Sequence, residues 1–494
     1  MRETQQDVEQ PAESGHAAGP LNRHLKARHL NMIAIGGAIG TGLFLASGAT
    51  ISDAGPGGAL LAYAAIGLMV FLLMQSLGEM STYLPLSDSF QAYGKRFVSP
   101  SFGFAQGWNY WFNWAITVAA ELVAAALVMK YWFPDVQSWV WSAIFLTILF
   151  ALNAFTVKAF GEGEFIFSAV KVITVIVFLG VGLLMILGIM GGDSPGFSNW
   201  TEGEAPFVGG VPAILSIFMI AGFSFQGTEM VAVASGEAEH PERVIPKAIR
   251  AVFWRILLFY IGAIAVIGFL IPYTDKRLLS SAETGDITVA PFTLVFERAG
   301  IAGAAAVMNA VILTAILSAG SSGLYASTRM LHGLARNGQA PAIFTRLTKH
   351  GIPLPALVAT TAIGALCFIT SLAGDGVAYT WLVNASGLAG FITWCGIAWS
   401  HFKFRQAYVA QGKSLDDLPF RARWFPLGPL VALGMCVIVI AGQNYDAWLT
   451  DSPDIKALLS SYIGLPLFLA LWWGHKLVTK QPKIDPLKAD LRRH

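Results

Sequence analysis

The sequence predicts an all-α membrane protein of twelve transmembrane helices, built as a five-plus-five inverted repeat with two extra helices. Three features predict it: a composition too apolar for water, repeated apolar runs of spanning length, and two glycine-rich breaks five helices apart. Of the 494 residues, 55% are hydrophobic and only 13% charged. A soluble chain of this length needs more charge to cover its surface.

The apolar residues fall in runs long enough to cross about 30 Å of hydrocarbon, roughly 20 residues each. The spans are placed at 29–53, 58–84, 100–129, 138–157, 162–190, 209–235, 248–271, 301–330, 354–373, 377–400, 426–445 and 457–477. Each run far exceeds a barrel strand, so helices are expected. The domain plan is a tail at 1–28, a first repeat at 29–190, a second at 191–400, a loop with two spans at 401–477, and a tail at 478–494. The tail before Arg28 is polar, without the apolar core and small-residue cleavage site of a signal peptide. Most of the 32 lysines and arginines fall in the tails and alternate loops that share one side, which places both termini in the cytoplasm.

Composition also excludes function classes. A net charge of +2 indicates no nucleic-acid partner. Cys367, Cys395 and Cys436 all lie in apolar runs, and the nine histidines lack metal-ligand spacing, so no disulfide, metal or other cofactor is expected. No nucleophile–base set appears, and the chain is not expected to be an enzyme.

The first span holds Gly36, Gly37, Gly40 and Gly42 within seven residues. The sixth carries Gly222-Phe223-Ser224-Phe225-Gln226-Gly227-Thr228-Glu229. Glycine costs about 1 kcal/mol per helical position relative to alanine. A single glycine-rich span fits close helix packing equally well. Two such breaks, on helices that run in opposite directions, fit an inverted-repeat transporter. An unwound helix offers amide groups to a carboxylate and carbonyls to an ammonium group. A zwitterion's carboxylate is expected near Gly40, Thr41 and Gly42, and its amino group near carbonyls of Ala38, Phe223 and Gln226, with Ser224 alongside.

The run GGAIGTGLF at 36–44, the run GFSFQGTE at 222–229 and the Gly236-Glu237 step resemble the amino acid–polyamine–organocation superfamily. From about Leu25 to Lys476 the chain is similar to its bacterial amino-acid permease branch. LKARHL (25–30), ASGATIS (46–52), FWRILLFY (253–260) and SAGSSGLYASTRML (318–331) resemble its lysine-transporting members most. The resemblance implies a LeuT-like fold with helices one and six broken, an inner bacterial membrane, and L-lysine carried inward with protons by alternating access. Alternatives are a permease for arginine or for a neutral or aromatic amino acid, an exchanger, or a lysine sensor that signals to a membrane partner protein.

Ionisable residues at bilayer depth are functional candidates by default. Glu229 ends the sixth-span break, and the resemblance implies a part in substrate binding and proton coupling. A buried carboxyl bonded to freed amides is its plain alternative. Lys171, flanked by aliphatics in span five, either snorkels or sits centrally, where the resemblance makes it a stand-in for the sodium ion of sodium-coupled relatives. Burial disfavours a charged lysine, which argues for protons as the coupling ion. Glu121 in span three either pairs with a neighbouring helix or forms a second proton site. Arg255 reads as an interfacial anchor. Tyr110 and Trp114, four apart on one face, and Asn113 between them suit an alkyl-ammonium side chain. Trp108 and Trp111 also fit an interfacial belt. Phe223 is expected to act as a lid, and Glu237 either closes an inner gate or belongs to a solvated acidic loop. Asn309, Asn384 and Ser386 are weaker pocket candidates, more often helix–helix glue.

Overall fold

The computed structural model describes residues 39–86, 89–155, 157–235, 240–278, 290–301, 303–444 and 455–492. Among them the regular structure is helical, and eight helices are long and apolar enough to cross a membrane. A short helix α1, Thr41–Phe44, leads into α2, Ser47–Tyr83. Gly55 (φ 73°, ψ 170°) breaks α2 into two segments, at the boundary expected between spans one and two. Pro206 and Val208 clamp that joint. The carbonyl of Pro206 accepts from Gly57 N at 2.9 Å and Gly58 N at 3.2 Å, and Val208 N donates to Ala54 O at 3.1 Å. A side chain at residue 55 would stand 2.6 Å from the Pro206 carbonyl oxygen, so the clamp needs glycine for space as well as for φ.

At the centre lies α3, Pro100–Met129. Its start follows the expected chemistry: Ser99 Oγ accepts from Phe102 N at 3.1 Å, and Pro100 occupies the first turn. A shorter helix α4 (Ser138–Ala154) follows, and then α5 (Val157–Ile186), as long as α3. Ile166, Ile173, Ile176 and Leu183 on α5 are exposed, as a hydrocarbon-facing surface requires. Next come α6 (Gly210–Phe225) and α7 (Met230–Ser235), divided at the sixth-span break, and α8 (Pro241–Leu270), with a π-helical stretch at Ile256–Gly262.

Beyond α9 (Pro291–Arg298) run α10 (Ala304–Arg336), α11 (Leu354–Ala373) and α12 (Asp375–Ala410). Helix α3 packs most extensively on α10 and α12, which enclose it. Helices α13 (Leu427–Gly442), α14 (Ile455–Tyr462) and α15 (Gly464–Thr479) complete the chain.

Helix α12 runs ten residues past its expected end, because its last turns have buried partners. Arg405 bonds Glu79 near the end of α2, Arg405 Nη2 donates to Ala422 O at 3.3 Å, and Ala422 N donates to Glu79 Oε2 at 2.7 Å. The C-terminal residues dock on the same end of the molecule: Tyr83 Oη donates to Leu491 O at 3.1 Å, and Gln411 Nε2 donates to Ala489 O at 2.8 Å.

Candidate functional site

The glycine segment at the start of the described chain meets the sixth-span break. Gly40 is extended before α1, and a side chain there would stand 2.5 Å from Glu121 Oε1 and 2.9 Å from the Ala319 methyl. A side chain at Gly42 would stand 2.5 Å from Ser224 Cα in the sixth-span segment. The glycines therefore let two backbones come together where any larger residue would hold them apart. Thr41 Oγ1 donates to Glu121 Oε1 at 3.3 Å, tying the first break to α3. Ser224 Oγ shares a 3.0 Å hydrogen bond with the Tyr63 hydroxyl of α2.

In the second break, helix α6 ends at Phe225, Gln226 turns extended (ψ 149°) and Gly227 takes φ 86°. The Glu229 carboxylate folds back to accept from Gly227 N at 3.2 and 3.1 Å, and from Trp394 Nε1 at 3.3 Å. This is the amide-bonded geometry expected of a buried carboxyl; it also fixes the carboxylate beside the break. Gln226 reaches α12, donating from Nε2 to Ser386 O at 3.0 Å. The Ser386 hydroxyl lies 3.0 Å from both Gln226 Oε1 and Asn113 Oδ1, and 2.6 Å from Thr117 Oγ1. One hydroxyl proton cannot serve both carbonyl oxygens, so this junction of α3, α6 and α12 has alternative hydrogen-bond states.

Tyr110, Asn113 and Trp114 share the inner face of α3. The Tyr110 and Trp114 rings meet edge-on at 6.3 Å. Tyr110 also packs on Phe90 at 4.7 Å and is electrostatically coupled to Glu229. The Tyr110 hydroxyl, Asn113 Nδ2 and Trp114 Nε1 have no hydrogen-bond partner among the described residues. Phe223 is buried at the end of α6, one residue from Gly222, where a side chain would strike the Phe391 ring at 2.3 Å. Ala38 and Glu237 lie outside the described residues, as do Gly36, Gly37 and Gly236.

Lys171 is fully buried, so it does not snorkel. Its Nζ lies 3.9 Å from Glu164 Oε1 on the same helix, and it is electrostatically coupled to Glu121 and Arg255 as well. Arg255 corrects an expectation. It is 1% exposed and donates from Nη2 to the Tyr260 hydroxyl at 2.7 Å, inside the bundle and not at an interface. Asn309 accepts from Thr293 Oγ1 at 2.9 Å, a helix–helix tie, while Ser386 belongs to the central junction. Sequence reasoning passed over Glu164, Tyr63 and Trp394. Only Glu164 carried a signal: it stands seven residues, about two turns, before Lys171 on one helix face.

Two helix breaks in contact, each flanked by a buried carboxylate, with an aromatic and amide face beside them, form a polar centre inside an apolar helical bundle. Comparison with known proteins agrees with that architecture. The family model for amino acid permeases matches residues 29–488. The chain is 60% identical over 459 residues to the lysine-specific permease LysP of Escherichia coli (strain K12), covering 93% of this chain and 94% of that one. It is 53% identical over 481 residues to the lysine-specific permease LysP of Lactococcus lactis subsp. cremoris (strain MG1363), covering 96% and 93%. It is 50% identical over 475 residues to the histidine permease HisP of the same strain, covering 96% and 98%. A match of that extent leaves no part of the bundle outside the family: the chain is a multi-pass membrane transporter belonging to the amino acid permease family.

Proposed function

We propose that the protein imports L-lysine together with a proton by alternating access across a bacterial inner membrane. The single observation that carries this is the contact of Gly42 with Ser224, which brings two oppositely running broken helices to one point. The similarity to two lysine-specific permeases supports lysine as the substrate.

In this reading twelve spans form two inverted repeats, 29–190 and 191–400, with two helices added, and both termini are cytoplasmic. The substrate carboxylate binds amides near Gly40, Thr41 and Gly42. Its amino group faces carbonyls near Ala38, Phe223 and Gln226, with Ser224 beside it, and the side-chain ammonium lies against Tyr110, Asn113 and Trp114. Glu121, Lys171 and Glu229 couple the proton, and Phe223 and Glu237 gate the site. Inward movement of one cationic charge through 100 mV is worth about 2.3 kcal/mol, so a cationic substrate suits an importer.

Labelled-lysine uptake into proteoliposomes under an imposed inward proton gradient tests the reading. Lysine accumulates, a protonophore abolishes accumulation, and arginine and neutral amino acids compete poorly. A second reading, histidine as the substrate, is favoured by the 50% identity to a histidine permease. Strong competition by histidine with no lysine entry would select it.

A further inference from the structure

The buried ion pair of Lys171 and Glu164 lies one layer away from the helix breaks. Glu164 is 2% exposed, and both of its carboxylate oxygens have partners within the bundle. Its Oε1 accepts from Ser168 Oγ at 3.2 Å and faces Lys171 Nζ at 3.9 Å, and its Oε2 accepts from Ser318 Oγ of α10 at 2.8 Å. Three neighbours that want an acceptor hold it in the ionised form's geometry. Every one of them lies on α5 or α10.

Glu121, the other carboxylate coupled to Lys171, is placed differently. Its Oε1 accepts from Thr41 in the first broken helix, and its Oε2 has no hydrogen-bond partner among the described residues. The groups facing this cluster are Glu164, Ser168 and Lys171 on α5, Ser318 and Ser322 on α10, Glu121 on α3, Thr41 from the first-span segment, Arg255 on α8 and Tyr379 on α12. An uncompensated charge in such a core costs several kcal/mol, and a single proton on one carboxylate removes it.

We infer that Glu164 is a positioning residue that holds the Lys171 ammonium beside α5 and α10, so that within the Lys171 cluster it is Glu121, with one carboxylate oxygen on Thr41 and the other without a partner among the described residues, that carries the transported proton. The proton arrives from outside on the ionised Glu121 carboxylate, crosses as its carboxyl hydrogen, and leaves to the cytoplasm when the Thr41 contact changes. This rests on the proton-coupled reading above and adds a division of labour between the two carboxylates.

The test uses full-length protein in proteoliposomes and compares Glu164→Gln, Glu164→Asp and Ser318→Ala for three quantities: lysine counterflow with no gradient, gradient-driven accumulation, and the pH profile of uptake. Removing one partner of a buried ion pair is a large perturbation, so Glu164→Gln should lower accumulation about tenfold or more while counterflow changes about twofold or less. Its pH profile should flatten. Glu164→Asp should restore most of the accumulation, and Ser318→Ala should shift the pH profile without abolishing it. A Glu164→Gln protein that accumulates lysine with the wild-type pH profile overturns the proposal. So does a parallel loss of counterflow and accumulation that Glu164→Asp does not rescue and Ser318→Ala reproduces with an unshifted profile, since that describes a structural role only. If wild-type uptake proves independent of the proton gradient, proton symport itself falls and the role of Glu164 falls with it.

Discussion

Glu79 and Arg405 bind each other through both carboxylate oxygens although 326 residues separate them, and both are buried. His401 Nε2 stands 3.2 Å from the same carboxylate, and the Phe425 ring lies under the guanidinium at 4.9 Å. The pair joins the end of α2 to the end of α12 and captures the backbone of Ala422. Opposite charges satisfied this fully are costly to separate and not costly to replace together.

Arg405→Ala or Glu79→Gln alone should therefore destabilise the protein by about 3–5 kcal/mol, because each leaves a buried group without its counter-charge. Replacing both with leucine should recover a large part of that loss. Thermal unfolding of the single and double variants in detergent measures the difference, and equal losses in all three would refute the coupling.

Gly42→Ala should abolish most transport while leaving the protein in the membrane. The added methyl meets Ser224 Cα at 2.5 Å, a backbone atom that cannot swing aside. Overpacking of this kind costs about 1–3 kcal/mol and is concentrated at the contact between the breaks. Uptake normalised to surface expression reports it, and near-normal uptake would show that the breaks do not need this approach.

Thr41→Val should raise the KM for lysine several-fold, since a buried hydrogen bond is worth about 0.5–1.5 kcal/mol. Thr41→Ser keeps the hydroxyl that reaches Glu121 and should stay close to wild type. If both substitutions behave alike, the hydroxyl is not what matters at this position.

Asp275, in the loop after α8, gives a pH prediction outside the membrane. Partial burial pushes its carboxyl up, but hydrogen bonds from Arg277 and the charges of Arg277 and Arg298 outweigh this and hold it below its ordinary value. Its contribution to stability is thus present above the unfolded carboxylate pKa and is lost as pH falls through the lower folded value. Hydrogen exchange of residues 273–278 should accelerate at acid pH in the wild type. In Asp275→Asn it should already be fast at neutral pH, and an unchanged rate in that variant would count against the ion pairs.

How far the sequence discloses this arrangement depends on where each residue sits in its run. Glu121 and Lys171 were legible because a charge amid aliphatics has no solvated alternative, and the glycines of the two breaks because they cluster. Glu164 was passed over because it stands in the first turn of its expected span, 162–190, where a charge can reach water. Its burial comes from Ser318, 154 residues away. Arg405 sat beyond the expected end of its helix and Glu79 near the end of its own, where water normally solvates such groups. Arg255 looked interfacial for the same reason. For Glu164, Glu79 and Arg405 the deciding partner belongs to a distant segment, which local periodicity does not report.

The joint at Gly55 has a mechanical consequence. With no loop between them, the two segments of α2 meet at a single knuckle, and the turn segment entering α6 is pinned to it through Pro206 and Val208. If substrate binds at Thr41 as proposed, the motion that it starts should carry the three arms together. Spin labels on residues 61 and 211 should keep their spacing through the whole cycle, while either one measured against residue 381 of α12 should report the stroke.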